Sequence, residues 1–305
     1  MPDKESALPE EFDAFLRRIG EQKRYSKYTL RNYSKAISDW YAWLDANELF
    51  GGNIFDVPRA FAKNYVAHLA AALSRRTLHN RVSALRGFHR FLRETYGAKT
   101  NPFAALPLPK MKKDLPVFLS EPRLEVLLEA PWQMLKENKI DRFECLRDAL
   151  ALELLYGAGL RISELCALKF GDVDFVSASA RVLGKGNKIR IAPFGAKALE
   201  LLKIWRAEFA PTSERTDLIL KTQKDAPLYP RLVQRNLKKY LIAANLPTDI
   251  TPHKLRHSFA THMVDGGSDL RALQEMMGHA SLSTTQMYTH LSTGHLKKEH
   301  SKLFD

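Results

Sequence analysis

Apolar positions recur every three or four residues over most of the chain and alternate in only one short stretch. That pattern predicts a mainly α protein with one small antiparallel β-sheet. From about Pro9 to Gly97 it predicts four helices. The first carries Phe12, Phe15, Leu16 and Ile19 on one stripe. The second runs from Ser26, a candidate cap, to Asn47, with Leu30, Tyr33, Ile37, Trp40, Tyr41 and Leu44 as its apolar face. After Gly51 and Gly52 a shorter helix spans Pro58 to Leu73, and the fourth spans Ser74 to Tyr96.

A stretch with four prolines and several lysines, Thr100 to Pro116, excludes a long helix and predicts an extended connector. It divides the chain into a helical domain over 1–97, a linker over 98–115 and a second domain over 116–305. That domain opens with Ser120-Glu121-Pro122, capping a helix through Leu128, followed by a helix from Asp141 to Tyr156. Gly157-Ala158-Gly159 then breaks the chain ahead of a helix from Leu160 to about Leu168. Residues 172–193 form the β region: Val173–Phe175, Arg181–Leu183 and Ile189–Ile191 are separated by turns at Ser177–Ser179 and at Gly184–Asn187. Helices from Gly195 to Phe209 and from Arg231 to Asn245 complete the scaffold.

Charge changes this picture from a scaffold into a binder. The 305 residues carry a net charge of +13, spread along the whole length, with a pI near 9.6. Such a balance favours a polyanionic partner, of which nucleic acid is the usual one. A membrane surface is the rival, but no stretch approaches the roughly 20 apolar residues a span requires. The opening MPDKESALPEEF is polar and acidic, unlike a secretory signal. Cys145 and Cys166 sit in apolar helical patterns without metal spacing and read as buried thiols of a reducing cytoplasm.

The basic residues are also placed. On the fourth helix Leu78, Val82, Leu85 and Leu92 share a stripe, and Arg75, His79, Arg86, Arg90 and Arg93 lie on the neighbouring one. One face can pack while the other meets phosphates or is simply solvated. In the linker, Lys110, Lys112 and Lys113 could follow a nucleic-acid backbone. Arg161, just after the glycine break, is either a surface residue or an anion contact at a helix N-terminus, with Glu164 one turn on to orient a neighbouring cation. Lys185 sits at a glycine-flanked hairpin tip. GKG lacks the spacing of a nucleotide-binding loop.

The densest chemistry lies between Thr251 and Leu291, where His253, Arg256, His257, His262, His279, Tyr288 and His290 gather. Arg offers a planar fork of donors, and His can give or take a proton near neutral pH. Tyrosine, with a free pKa of about 10, becomes a nucleophile only when its proton is removed. The segment therefore reads as half of a metal-free phosphoryl-transfer site. A zinc pair at His253 and His257 is disfavoured, because Lys254 follows the first His where a metalloprotease helix needs Glu. His253 and Arg256, three apart, can instead address one phosphate. Met263, Leu270, Leu273, Met276 and Met277 are read as core.

Together GAGLRISEL, LGKGNKIR, HKLRHSFATHM and MGHASLSTTQMYTHL resemble the tyrosine recombinase (phage-integrase) family, and within it the bacterial XerC/XerD branch. The resemblance covers nearly the whole chain. It implies a helical, SAM-like core-binding domain and a mixed α+β catalytic domain that close on DNA as a clamp. It carries over the catalytic residues as Arg161, Lys185, His253, Arg256, His279 and Tyr288. In that scheme Arg161 and Arg256 stabilise the scissile phosphate, Tyr288 attacks and His253 takes its proton. Lys185 protonates the departing 5′-oxygen, and His279 adds a hydrogen bond.

The product implied is a 3′-phosphotyrosine, which keeps the bond energy for rejoining, so no metal, ATP or other cofactor is expected. Implied partners are duplex DNA with paired recombination sites, copies of this chain or a second Xer-type recombinase in a tetramer, and a DNA translocase activator. A cytoplasmic, nucleoid-associated role in resolving chromosome or plasmid dimers follows. A phage, integron or transposon integrase of the same chemistry is the alternative, and a non-catalytic site-specific DNA binder is another. Two departures stand out: Met277 replaces the family's usual Leu, and the His-Pro-Arg-Ala ending is absent. The tail His295–Phe304 reads as a short helix, the element that in the family docks on a neighbouring protomer.

Overall fold

The computed structural model describes residues 10–21, 25, 27–47, 53–111, 118–184, 189–269, 273, 276 and 277. The chain divides into two compact units, Met1–Asp114 and Leu115–Asp305.

In the first unit the periodic stripes become α1 (Glu10–Glu21), α2 (Lys27–Asp45), α3 (Arg59–Ala72) and α4 (Arg75–Tyr96). Ser74 starts α4 by accepting the Thr77 backbone N–H at 3.3 Å, and Gly97 ends it at φ 71°, a left-handed cap that favours glycine. The core is aromatic. Trp40, Tyr65, Phe88 and Phe103 are almost fully buried, with Trp40 and Phe103 ring centres 5.0 Å apart. Inside this core lies His89, 1% exposed, whose Nε2 accepts the Trp40 indole N–H at 3.2 Å.

The proline-rich stretch differs from a free connector over its first half. Ala98, Phe103 and Leu106 are buried in the core of the first unit. Its backbone is held from α3 and α4: Arg59 donates to Ala105 O (2.9 Å), Arg75 to Lys110 O (3.1 Å) and His79 to Pro109 O (2.9 Å). Arg86 donates to both Phe103 O (2.9 Å) and Leu106 O (2.8 Å). Prolines exclude helix here without excluding burial, since Phe103 and Leu106 still gain by leaving water.

The second unit contains α5 (Glu121–Lys136), α6 (Arg142–Gly157), α7 (Ile162–Ala167), α8 (Ala196–Phe209), α9 (Pro230–Ala243) and α10 (Pro252–Asp265). The helix expected to stop at Leu128 continues through Pro131, because Ala130, Pro131 and Met134 are buried and packing outweighs the lost backbone bond. Helix α6 is the central element: every residue from Cys145 to Leu155 is buried. Strands β1 (Val173–Asp174), β2 (Ser179–Leu183) and β3 (Ile189–Pro193) form an antiparallel sheet in the order β1-β2-β3, with Val182 opposite Arg190. Cys145 is buried, but Cys166 only partly so, and burial pushes both thiols up to about 11. Among the described residues no helix is long and apolar enough to cross a membrane.

One polar network fastens α9 to α6. Asp148 accepts Arg147 Nε (2.8 Å) and Nη2 (3.1 Å), Asn236 Nδ2 (2.9 Å) and the Tyr240 hydroxyl (2.7 Å). Asn236 and Tyr240 face inward from α9, so their anchoring turns the opposite face, with exposed Arg231, Gln234, Arg235 and Lys238, toward solvent.

Candidate active site

Helix α10 begins where Thr251 accepts the Lys254 backbone N–H at 3.3 Å, with Pro252 in its first turn. This start places His253 on the exposed first turn and Arg256 one turn later, 3% exposed. Arg256 reaches across to α6 and beyond: Nη1 donates to Gly159 O and Nη2 to Met277 O. Gly159 has φ +54°, and a Cβ there would lie 2.8 Å from Phe259 Cδ1, so glycine is required for the backbone to approach α10 this closely.

The same glycine turn delivers Arg161 and α7. Glu164 accepts the Arg161 backbone N–H at 2.8 Å through Oε2 and Arg161 Nη1 at 2.7 Å through Oε1. Arg161 Nη2 donates to Met277 O at 3.3 Å, so both arginines converge on one carbonyl. Arg256 Nη1 lies 3.9 Å from Glu164 Oε2. A third guanidinium arrives from β3, where Arg190 Nη2 donates to Glu164 Oε2 at 2.7 Å. Among the described residues three guanidinium charges surround one carboxylate, a local surplus of two positive charges. Burial pushes the Arg190 pKa down against the opposing pull of Glu164. The surplus, close to the partly exposed Arg161 (32% of its side chain), favours an anion.

His257 lies one turn from His253 on α10, and burial, then the His253 charge, lowers its pKa. His262 meets the Tyr156 hydroxyl at 3.0 Å through Nδ1, and burial pushes Tyr156 up to about 12. Among the described residues no three His, Cys, Asp or Glu side chains gather as a metal site would require.

Of the residues anticipated from sequence, Arg161, Glu164 and Arg256 come together, and His253 lies on the same helix as Arg256. Lys185, His279 and Tyr288 lie outside the described residues, as do Lys112 and Lys113. Arg90, Arg93 and Lys110 are exposed, whereas Arg75, His79 and Arg86 each bond a carbonyl of residues 103–110. Two features escaped the sequence reading. Sequence periodicity shows α9 only as scaffold, although Arg231, Gln234, Arg235 and Lys238 recur at helical spacing. In the sequence Arg190 is only one position of an alternating strand, whereas in the structure it is the inward side chain between the exposed Ile189 and Ile191.

Residues 126–295 match the phage integrase family, and residues 12–95 match the N-terminal SAM-like domain of phage integrases. The chain belongs to the phage integrase family. Relatives of this phage-integrase chain include a tyrosine recombinase XerC of Bacillus subtilis (strain 168), 36% identical over 285 residues, covering 91% of this chain and 90% of the relative. A tyrosine recombinase XerD of Staphylococcus saprophyticus is 34% identical and covers 95% and 97%. The XerH site-specific recombinase bound to a palindromic difH substrate shares the fold, with a TM-score of 0.75, 22% identity and coverage of 92% and 82%. In the phage integrase family match, the Arg161–Glu164–Arg190–Arg256 cluster falls wholly within the matched segment.

Proposed function

We propose that the chain is a site-specific tyrosine recombinase that cuts and rejoins duplex DNA by transesterification. The observation that carries the reading is the cluster in which Arg161 and Arg256 meet at the Met277 carbonyl and share Glu164, with a surplus of positive charge. In this reading Arg161 and Arg256 donate to the non-bridging oxygens of the scissile phosphate and stabilise its pentacoordinate transition state. The Tyr288 oxygen bonds to phosphorus as the bond from phosphorus to the 5′-oxygen breaks. His253 accepts the tyrosine proton, Lys185 gives one to the 5′-oxygen, and His279 hydrogen-bonds the phosphate. A 5′-hydroxyl then attacks the 3′-phosphotyrosine and releases Tyr288, so the bond energy is conserved. The residue chemistry calls on no metal, ATP or other cofactor.

The enzyme acts on paired sites as a tetramer, of this chain alone or with a second Xer-type recombinase, and resolves chromosome or plasmid dimers at the nucleoid in the cytoplasm. A DNA translocase activates it. The domain over 1–97 contributes DNA contacts through the exposed Arg90 and Arg93, while Arg75, His79 and Arg86 set the path of the linker over 98–115, whose Lys110, Lys112 and Lys113 follow the DNA backbone toward the catalytic domain over 116–305.

Covalent trapping tests the chemistry. The protein is incubated in chelator with nicked duplexes tiling candidate sites of its own genome, and the products are resolved on denaturing gels. The expected result is a protein–DNA adduct that Tyr288→Phe abolishes. Specific binding without an adduct, unchanged by Tyr288→Phe and by adding a partner recombinase, would leave the chain a DNA binder and refute the proposal.

A further inference from the structure

We infer that Arg190 is a positioning residue of the active site: by holding Glu164 Oε2, it keeps that carboxylate, already paired with Arg161, from closing on Arg256 as well. The inference rests on the function proposed above. Arg190 lies in β3 between Ile189 (63% exposed) and Ile191 (55% exposed), yet its own side chain is only 8% exposed. Among the described residues it makes one hydrogen bond, Nη2 to Glu164 Oε2 at 2.7 Å, and its buried Nε and Nη1 meet no hydrogen-bond partner.

That arrangement is a poor way to stabilise a fold. A buried ion pair barely recovers its desolvation cost when every donor is satisfied, and replacing it with apolar groups is often neutral or better. Two unsatisfied guanidinium nitrogens add to the cost. The consequence of Arg190 lies in what it does to Glu164, 4% exposed at the side chain and, among the described residues, the one anion between the three guanidinium groups of the cluster. Oε1 is held by Arg161 Nη1, and Oε2 by the Arg161 backbone N–H and by Arg190. Opposed donors fix the carboxylate's rotation.

Without Arg190, Oε2 loses its side-chain donor, and Arg256 Nη1 stands 3.9 Å away as a replacement. A small rotation then pairs Glu164 with Arg256, and the surplus charge falls from two to one. Arg256, which already donates to Gly159 O and Met277 O, is then drawn toward Glu164 and away from the position in which its charge would meet a phosphate oxygen. Arg190 thus acts through Glu164, without itself touching DNA.

The test uses the full chain and the nicked duplex that the parent traps, with Arg190→Met and Arg190→Lys variants. Single-turnover adduct formation is measured at saturating DNA, alongside DNA affinity and thermal unfolding. We expect Arg190→Met to slow cleavage by about 10- to 100-fold, the scale of a weakened transition-state donor, with affinity within about twofold of the parent. Arg190→Lys, which keeps a cation on Glu164, should fall between.

The deciding comparison is a duplex with a methylphosphonate at the scissile position, where a methyl group replaces one non-bridging oxygen and removes its charge. If the loss comes from weakened charge neutralisation, the gap between variant and parent closes to within about threefold on this substrate. Equal losses on both substrates would mean a general structural defect and overturn the inference, as would Arg190→Met cleaving phosphate at the parent's rate. Should Arg190→Met fail to fold, the same comparison of Arg190→Lys decides. A parent that forms no adduct on any duplex overturns the recombinase reading itself, a result distinct from any difference between variants.

Discussion

His89 makes the first unit sensitive to acid in a way that can be calculated. Its ring is 1% exposed among Trp40, Phe88 and Phe103, and burial holds its pKa down at about 3 against an ordinary 6.5. Because Nε2 accepts the Trp40 N–H, the neutral ring carries its proton on Nδ1, which meets no hydrogen-bond partner among the described residues. A second proton would abolish the Trp40 bond and place an unpaired charge in an aromatic core. Above pH 6.5 the folded and unfolded chains both hold a neutral ring, and His89 contributes no pH dependence. As pH falls through 6.5 the unfolded chain gains a proton that the folded one refuses, so stability is lost until pH reaches about 3.

Linkage with these two values gives a loss of about 2 kcal/mol at pH 5, growing by about 1.4 kcal/mol for each further unit down to about pH 3. Replacement by glutamine keeps an acceptor for Trp40 and removes the titration. Urea unfolding followed by tryptophan fluorescence at pH 7.5 and 5.0, in parent and His89→Gln, isolates the effect as a double difference in which other titrating groups cancel. The parent should lose about 2 kcal/mol more than the variant between the two pH values. Equal losses would show that the buried ring accommodates its second proton, and the reasoning would fail.

Two further perturbations probe the second unit. Gly159→Ala should destabilise by about 2 kcal/mol or more, since a Cβ at φ +54° would lie 2.8 Å from Phe259 and 3.2 Å from Met277 Sδ. Adduct formation should slow as well, because the displaced carbonyl is an acceptor for Arg256; unchanged urea unfolding and cleavage would contradict this. Asp148→Asn should cost about 3–5 kcal/mol in urea unfolding by leaving Arg147, 3% exposed, without its main counter-charge. Adding Arg147→Met should recover part of that loss, whereas an additive penalty would contradict the ion-pair account.

Residues whose environment repeats along the chain were legible from sequence. Helical spacing of Phe12, Phe15 and Ile19, or of Leu78, Val82 and Leu85, reports a face, and those faces are buried in α1 and α4. The convergence of Arg161 and Arg256 was implied by the family resemblance and not by local spacing: a glycine break and a capped helix place each arginine without saying that the two meet. Arg190 was not legible, since strand alternation cannot say which side of a two-faced strand is inward when isoleucines occupy the outer one. The tasks of Arg75, His79 and Arg86 were equally hidden. A guanidinium binds a phosphate oxygen and a peptide carbonyl through the same N–H groups, and only the folded path of residues 103–110 reveals that carbonyls are within reach.

That strapping of residues 103–110 onto α3 and α4 has an evolutionary corollary. Each strap bond from Arg59, Arg75, His79 and Arg86 ends on a main-chain oxygen, which every amino acid supplies alike. Substitutions at exposed positions such as Ala104, Ala105 or Lys110 leave the acceptors in place. The route of this segment is therefore set by those helices together with its buried Phe103 and Leu106, and not by its exposed side chains. Its exposed side chains can drift, or adapt to a new neighbour, while its route over the first unit is inherited unchanged.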